Sequence, residues 1–297
     1  MINMDKIEAR KRLIQVLTLN GRSKKTKDNY LRYFGRFIDW IEKETEISDL
    51  DDLTYFHVYD FLEWVDSLDK YAPKTYNVFV YSLRNFYGGV LCRQVDKYKF
   101  PIKKEKSEPK PYFTIKQVQA LIEGCSHDLQ LKAAIALACG AGLRVNEVTN
   151  LQFKDFNETL GEFEVKDTKG NKSRWVTLSP RVGEILHDYC ISINVTHPKP
   201  SDYLFPDKKK PEQPAKTSAL TPRFQKYVQT FGFYREGLTF HSLRHAYATI
   251  LSMRRVPLPR IAQLMGHTSV ATTANYIHLP DDSEDELPDC LDFSKVK

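Results

Sequence analysis

Apolar side chains recur every three or four residues through most of the first hundred positions, which is the spacing of one helix face. The clearest run consists of Tyr30, Phe34, Phe37 and Ile41. Thr26 precedes this run and is predicted to cap the helix. A second run holds Phe61, Trp64 and Leu68, and a third extends from Lys74 to about Leu91. With the amphipathic opening segment, these runs predict a bundle of four helices.

A segment rich in proline and lysine, PIKKEKSEPKP, interrupts the helical pattern at residues 101–111. It contains three prolines and no aromatic residue, so it is predicted to be extended and exposed. We therefore expect a helical DNA-binding domain at residues 1–100 and a basic linker at 101–112. A catalytic domain is expected at 113–280, followed by an acidic tail at 281–297.

The helical period returns after Phe113. Thr114 is predicted to cap a helix that runs through Leu121, and the pattern continues over residues 129–139. The sequence GAGLRVNEV follows, and its glycines are predicted to end one helix just before Arg144 begins the next. The second domain is therefore also expected to be rich in α-helix.

The apolar period changes to two between Glu162 and Pro180. The apolar residues that flank the turn-forming TKGNKSR are Phe163, Val165, Trp175, Val176 and Leu178. This pattern predicts a β-hairpin with Lys169 at its tip. Residues 197–217 are rich in proline and lysine and are predicted to form a long surface loop, before a helix at 221–231. The predicted fold class is mainly α with a small β-sheet or hairpin.

Composition indicates where the protein works. Hydrophobic residues make up 41% and charged residues 28%, which is typical of a soluble globular protein. No apolar run approaches the roughly 20 residues of a membrane span, and the opening residues lack the apolar core of a signal peptide. The five cysteines are scattered without a CxxC pair, as in a reducing compartment. We therefore expect a cytoplasmic protein without a membrane partner.

The charge distribution indicates the kind of partner. The net charge is +6, but residues 281–297 contain seven acidic and two basic residues. The rest of the chain therefore carries a net charge of +11. A basic body suits a polyanion such as DNA, because each neutralised phosphate releases condensed counterions.

Several polar residues stand out in the second domain. Arg144 offers the forked donors that suit a phosphate, although an ion pair with Glu147 would also explain it. His241 and Arg244 are three apart on one helix face and can donate to the same anion. His241 and His245 have the spacing of a zinc pair. The segment HSLRH, however, lacks the glutamate of helical zinc proteases and brings a cation beside the metal, so no metal is expected.

The final motif places His267 beside Gly266, where a backbone can approach a ligand closely, and Tyr276 nine residues after His267. Ser269 is predicted to cap the helix that carries Tyr276. In order and spacing, GLRVNEV, KGNKSR, HSLRHAYAT and LMGHTSVATTANYIH resemble the tyrosine recombinase (phage integrase) family. These motifs span residues 142–278, most of the second domain.

The resemblance implies a two-domain, C-shaped clamp, with an N-terminal SAM-like helical bundle and an α-rich catalytic domain of the tyrosine recombinase type. The active-site residues that it assigns are Arg144, Lys169, His241, Arg244, His267 and Tyr276. Glu147 would be a supporting acid. Lys166 and Lys172 compete with Lys169 for the role of general acid, because all three lie on the same hairpin.

The implied function is site-specific recombination of double-stranded DNA through a 3′-phosphotyrosyl link to Tyr276. Strands would be exchanged through a Holliday junction by a homotetramer, without ATP, metal or another cofactor. The alternatives are a sequence-specific DNA-binding protein without catalysis and a type IB topoisomerase. In the family, the segment after the tyrosine commonly docks on a neighbouring protomer. We expect residues 281–297 to dock through Leu291 and Phe293, with disorder or shielding of a basic surface as alternatives.

Overall fold

Two compact units, Met1–Ser107 and Glu108–Lys297, make up the chain. The computed structural model describes residues 4–96, 99–105, 111–157, 161–166, 173–194 and 197–267. Each unit has its own hydrophobic core, since the two sets of buried apolar residues share no member. Among the described residues, no helix is both long and apolar enough to cross a membrane. The domain limits given above, with their separate linker and tail, stay a prediction.

The described part of the first unit contains the four predicted helices. Their bounds are α1 (Lys6–Leu19), α2 (Lys24–Glu44), α3 (Tyr55–Ser67) and α4 (Pro73–Arg84). A π-helical turn over Asn85–Val90 continues α4 to the end of the predicted third run. Along α2, Phe34, Phe37 and Ile41 are buried, as the spacing predicts.

Two local predictions in the first unit are wrong. Ser23, not Thr26, is the N-cap of α2, because the Ser23 hydroxyl oxygen accepts a hydrogen bond from the Thr26 backbone N–H at 3.3 Å. Thr26 therefore lies in the first turn. On α3, Trp64 and Leu68 are about two-fifths exposed, at 41% and 42%. The core positions of α3 are Val58, Phe61, Leu62 and Val65.

The start of the predicted linker is bound to the first unit by Asn77, which is buried on α4. The Asn77 amide nitrogen donates to the Lys103 carbonyl at 2.9 Å, and its oxygen accepts from the Lys103 N–H at 2.8 Å. These two hydrogen bonds replace the water that the Asn77 amide loses on burial. The segment is therefore anchored where it leaves the helices.

The second unit is built around a helix that is buried on nearly every side. The helices of its described part are α5 (Ile115–Gly124), α6 (Leu129–Gly140), α7 (Val145–Asn150), α8 (Pro180–Ser192), α9 (Thr217–Thr230), α10 (His241–Met253) and α11 (Leu258–Met265). Every residue of α6 from Ala133 to Gly140 is buried, so α6 forms the centre of the core. Thr114 caps α5 as predicted, since its Oγ1 accepts from the Gln117 N–H at 3.2 Å.

A three-stranded antiparallel sheet contains the predicted hairpin. Its strands, in the order in which they pair, are β1 (Phe156–Asn157), β2 (Glu162–Lys166) and β3 (Ser173–Thr177). Phe163, Val165 and Val176 are buried, as expected. Trp175 precedes buried Val176 in the strand and therefore lies on the opposite face, where it is 53% exposed. The short strand β1 was not predicted.

The segment predicted as a long surface loop, residues 197–217, is partly built into the core. Leu204 and Phe205 are buried, and the Phe205 ring stacks on Tyr189 with 5.2 Å between ring centroids. A backbone bridge also pairs Tyr203 with Gln152. The helix after the loop, α9, begins at Thr217 and not at the predicted residue 221.

Candidate active site

The turn between α6 and α7 positions Arg144. Gly142 has a φ of +66°, and a Cβ atom at this position would lie 2.5 Å from the ring of Tyr247. The turn therefore needs glycine both for its left-handed backbone and for its close contact with α10. It places Arg144 at the N-cap of α7, as predicted, with 35% of its side chain exposed.

A single buried carboxylate, that of Glu147, joins three arginines. Arg144 binds it twice, through its backbone N–H to Oε2 at 2.8 Å and through Nη1 to Oε1 at 2.7 Å. Arg174 on β3 also binds it twice, through Nη1 to Oε1 at 3.2 Å and through Nη2 to Oε2 at 2.8 Å. Nη1 of Arg244 lies 3.6 Å from Oε2. The ion pair considered as an alternative explanation of Arg144 is therefore present within a larger cluster.

The arginines determine the protonation state of Glu147. Burial by itself would raise the pKa of this carboxyl, but the hydrogen bond and charge of Arg174, the charge of Arg244 and the Arg144 N–H lower it to about 2. Glu147 is therefore ionised at neutral pH. Three permanently charged guanidinium groups around one carboxylate leave an excess of positive charge, as an anion-binding site requires.

Arg244 ties the turn before α7 to the end of α11. Its side chain is fully buried on α10. Nη1 donates to the Gly142 carbonyl oxygen and Nη2 donates to the Met265 carbonyl oxygen. The guanidinium therefore fixes the backbone on both sides of the cluster, in addition to supplying charge.

His267 follows the end of α11. Gly266 terminates this helix with a φ of +63°, and the His267 backbone N–H donates to the Ala262 carbonyl oxygen at 2.9 Å. Burial, followed by the positive charges of Arg244, Arg144, His241 and Arg174, lowers the pKa of His267 to about 4. The imidazole is therefore neutral at pH 7.

The two histidines of α10 lie together at its first turn. The ring centroids of His241 and His245 are 4.9 Å apart, with the rings nearly perpendicular. His245 is buried, whereas His241 is partly exposed. Within the described ranges, no group of three His, Cys, Asp or Glu side chains has the arrangement of a metal site.

The structure brings together the four predicted site residues that it describes. These are Arg144, His241, Arg244 and His267. Lys169 and Tyr276 lie outside the described residues, as do Lys172, Ser269 and the segment 281–297. The catalytic roles of all six residues stay predictions.

Arg174 was missed as a site residue. It lies opposite Val165 in the strand register and two residues before Val176, and both of these valines are buried. The alternation of β3 therefore contains a signal, because it puts Arg174 on the inward face of the strand. A charged residue on such a face needs a buried partner.

The chain is similar to known proteins over most of its length. Residues 111–283 match the sequence model of the phage integrase family, and residues 10–97 match that of the phage integrase N-terminal SAM-like domain. The putative integrase/recombinase y4qK of Sinorhizobium fredii is 29% identical over 271 residues, covering 91% of this chain and 84% of that protein. The tyrosine recombinase XerA of Pyrococcus horikoshii is 28% identical over 268 residues, covering 88% and 85%.

The fold is also similar to that of a solved DNA complex. The structure of the Tn1549 transposon integrase in complex with transposon right end DNA matches with a TM-score of 0.70 and 16% identity. The match covers 91% of this chain and 94% of that one. At this level of identity, the similarity supports the fold alone.

The chain belongs to the phage integrase family, and its class of enzyme is the tyrosine site-specific recombinase. The predicted family, the mainly helical fold with a SAM-like first domain and the predicted class of activity are confirmed. The comparisons do not favour a catalytically inactive DNA-binding protein or a type IB topoisomerase.

Proposed function

We propose that Tyr276 of this recombinase attacks a phosphodiester of double-stranded DNA. The bond between the tyrosine oxygen and phosphorus forms as the bond to the 5′ oxygen breaks, leaving a 3′-phosphotyrosyl link and a free 5′-hydroxyl. Attack on this link by a 5′-hydroxyl from a second strand reverses the chemistry. One phosphoester replaces another in each step, so rejoining requires no ATP.

The observation that carries this proposal is the cluster of arginines around Glu147, with His241 and His267 beside it. Positive charge aimed at non-bridging oxygens stabilises the charge that develops in the transition state. Arg144 is assigned to direct contact with the phosphate, because its side chain is partly exposed. Arg244 contributes its charge from a buried position and holds the surrounding backbone.

The reaction also moves protons, since Tyr276 loses one and the departing 5′ oxygen gains one. Without DNA, His267 is neutral but a weak base, because its pKa is about 4. A bound phosphate would offset the positive charges that lower this pKa and make His267 a better proton acceptor. We assign the donor to Lys169. Lys166 is less suited, because its Nζ lies 2.6 Å from Oδ1 of buried Asp155 and that hydrogen bond raises its pKa. This ion pair supports a lysine from the hairpin tip as the general acid.

The proposed partners are double-stranded DNA and further copies of this chain. The net charge of +11 outside the acidic tail supports DNA binding, as does the membership of the chain in the tyrosine recombinases. Each chain has one Tyr276, and exchange between two duplexes breaks four strands. The proposed assembly is therefore a homotetramer that acts through a Holliday junction.

A nicked suicide substrate tests the nucleophile. The target duplex is first recovered by binding selection from a randomised pool, and a nick is then placed so that the short 5′-hydroxyl fragment diffuses away after cleavage. We expect a covalent protein–DNA band on a denaturing gel with the parent chain and none with Tyr276→Phe. Arg144→Ala should cleave at least about 100-fold more slowly. Tyr234→Phe is the matched control, because Tyr234 is 56% exposed and lies outside the cluster.

The other outcomes separate the alternatives. An adduct that persists in Tyr276→Phe would contradict the assignment of the nucleophile. Binding by the parent chain without any adduct would indicate a DNA-binding protein that has no catalytic activity. Relaxation of a supercoiled plasmid that lacks the selected target would indicate a topoisomerase.

A further inference from the structure

Arg174 contacts three separate parts of the site from a single position on β3. Two of its nitrogens bind the Glu147 carboxylate at 3.2 and 2.8 Å. Its Nε donates to the Leu264 carbonyl oxygen near the end of α11 at 2.8 Å. A Cβ atom at Gly266 would lie 2.9 Å from Nη1, so the glycine allows the guanidinium to pack directly against the backbone before His267.

The Arg174 side chain faces the protein and not the surface. Only 10% of it is exposed, compared with 35% for Arg144. Each of its three guanidinium nitrogens donates to a protein oxygen. These contacts use the planar fork of arginine, and a lysine has a single nitrogen that cannot reproduce them.

We propose that Arg174 is a positioning residue for the recombination reaction. It holds Glu147 in the orientation in which that carboxylate binds Arg144, and it fixes the end of α11 from which His267 extends. Arg174 therefore connects the carboxylate that binds Arg144 to the end of α11 that leads to His267. This inference rests on the proposed function.

The proposal predicts a specific set of effects when Arg174 is changed. When the Arg174 guanidinium is absent, Glu147 has only Arg144 and Arg244 to bind. Arg144 is then drawn toward the carboxylate and away from a phosphate. One of the positive charges that lower the pKa of His267 is also lost in a neutral variant. Chemistry should therefore slow while DNA affinity changes little, because only 10% of the Arg174 side chain is exposed.

Two substitutions at Arg174 and one matched control test this. Arg174→Lys keeps the charge and removes the fork, whereas Arg174→Met removes both. Residues that orient metal ligands commonly change activity about 10- to 100-fold when they are substituted, and we expect a similar range for a residue that orients Glu147. We expect single-turnover cleavage of the suicide substrate to slow at least about 10-fold in Arg174→Lys and about 100-fold in Arg174→Met. The Kd for DNA should stay within about threefold of the parent value. Arg181→Met should behave like the parent, because Arg181 pairs with Glu184 on the exposed surface.

A second measurement distinguishes positioning from general stability. The pKa of His267, followed by NMR, should rise in Arg174→Met and stay close to the parent value in Arg181→Met. If Arg174 acts through Glu147, Arg174→Met should slow cleavage much less in a Glu147→Gln background than in the parent. Arg174→Met alone leaves the buried Glu147 carboxylate with one fewer positive partner, which could prevent folding. Glu147→Gln removes that carboxylate charge, so the double variant can still be compared with Glu147→Gln.

Three results would overturn the inference. These are parental cleavage by Arg174→Lys, a loss of DNA affinity as large as the loss of rate, and an equal effect of Arg174→Met in both backgrounds. The failure of the proposed function has a different signature, since the parent chain itself would then form no adduct.

Discussion

Burial and one set of arginines together set the titrations of Glu147 and His267. Burial raises the pKa of Glu147 and lowers that of His267, whereas the arginines lower both. Positive charge favours the deprotonated form of both groups, which is an anion for Glu147 and a neutral ring for His267. The site therefore combines three guanidinium charges with one carboxylate and a neutral His267 at pH 7. A phosphodiester would balance part of the remaining positive charge, and its binding should raise the pKa of His267.

The first prediction concerns the pH dependence that follows from His267. Its folded-state pKa of about 4 lies below the ordinary value of 6.5. The unfolded chain therefore binds a proton at His267 more readily than the folded chain does. The resulting contribution to stability is complete above about pH 6.5 and is lost as the pH falls toward 4. We expect NMR titration to place the His267 pKa near 4.

Urea unfolding measured between pH 7 and 4.5 provides the second measurement. The free energy of unfolding should fall less steeply with decreasing pH in His267→Gln than in the parent chain. His197→Gln, at an exposed position, should follow the parent. Glu147 contributes to stability in a lower pH range. Its pKa is lowered from 4.5 to about 2, so its contribution to the free energy of unfolding is lost as the pH falls from 4.5 to about 2. A His267 titration at 6.5 would contradict the prediction.

At the scale of elements, local sequence patterns predicted the helices and the hairpin correctly. They failed where tertiary contacts determine the end of a helix or the burial of a loop. Thr114 has the local signature of a cap and is one. Ser23 and Thr26 are both capping residues three apart, so only the backbone shows that α2 begins after Ser23. Leu204 and Phe205 are buried by packing against distant parts of the chain, which their proline-rich surroundings did not indicate.

The residues of the site also form two groups, those that local motifs predict and those that only tertiary contacts show. The family motifs predicted Arg144, His241, Arg244 and His267 as site residues, and the structure brings these four together. Arg174 could not be identified by spacing alone. Its partners, Glu147 and the Leu264 carbonyl, are 27 and 90 residues away in the chain. Only the folded structure brings these groups together.

The turn between α6 and α7 gives a prediction at this scale. Gly142→Ala would force a side chain into the left-handed region and place its Cβ 2.5 Å from the Tyr247 ring. We expect the free energy of unfolding to fall by about 3 kcal/mol, from backbone strain together with overpacking. Cleavage should also slow, because the Gly142 carbonyl oxygen accepts a hydrogen bond from Arg244.

Gly232→Ala is the matched control for Gly142→Ala. Gly232 has a similar φ of +68°, but an added Cβ would meet nothing within 4 Å. Its substitution should therefore cost only the strain, about 1 kcal/mol, and leave cleavage unchanged. Urea denaturation measures both variants. Equal losses would show that the contact with Tyr247 has no effect of its own.

At the scale of the whole molecule, the chain has two hydrophobic cores and a basic charge spread over both units. The core of the first unit ends with Phe100, and the core of the second begins with Phe113. No buried apolar residue belongs to both cores. Each unit therefore has what it needs to fold alone, while tight DNA binding should need the two together.

Dividing the chain tests this independence. We expect residues 1–105 and 111–297 to unfold cooperatively as separate fragments, followed by circular dichroism during heating. The first fragment must extend past Phe100 and Lys103. Phe100 is fully buried, with its ring centroid 5.6 Å from that of Tyr87, and Lys103 binds Asn77. A fragment of residues 1–98 lacks both and is the control, with a lower expected Tm.

DNA binding by the same fragments gives the final prediction. Each fragment should bind the selected duplex more weakly than the intact chain and with a smaller slope of log K against log salt, because it neutralises fewer phosphates. Fluorescence anisotropy at several salt concentrations measures both quantities. Fragment 111–297 contains all six predicted catalytic residues, so it should still form the covalent adduct at higher protein concentration. A folded fragment that never forms the adduct would show that the first unit contributes to the chemistry itself and not only to holding the DNA.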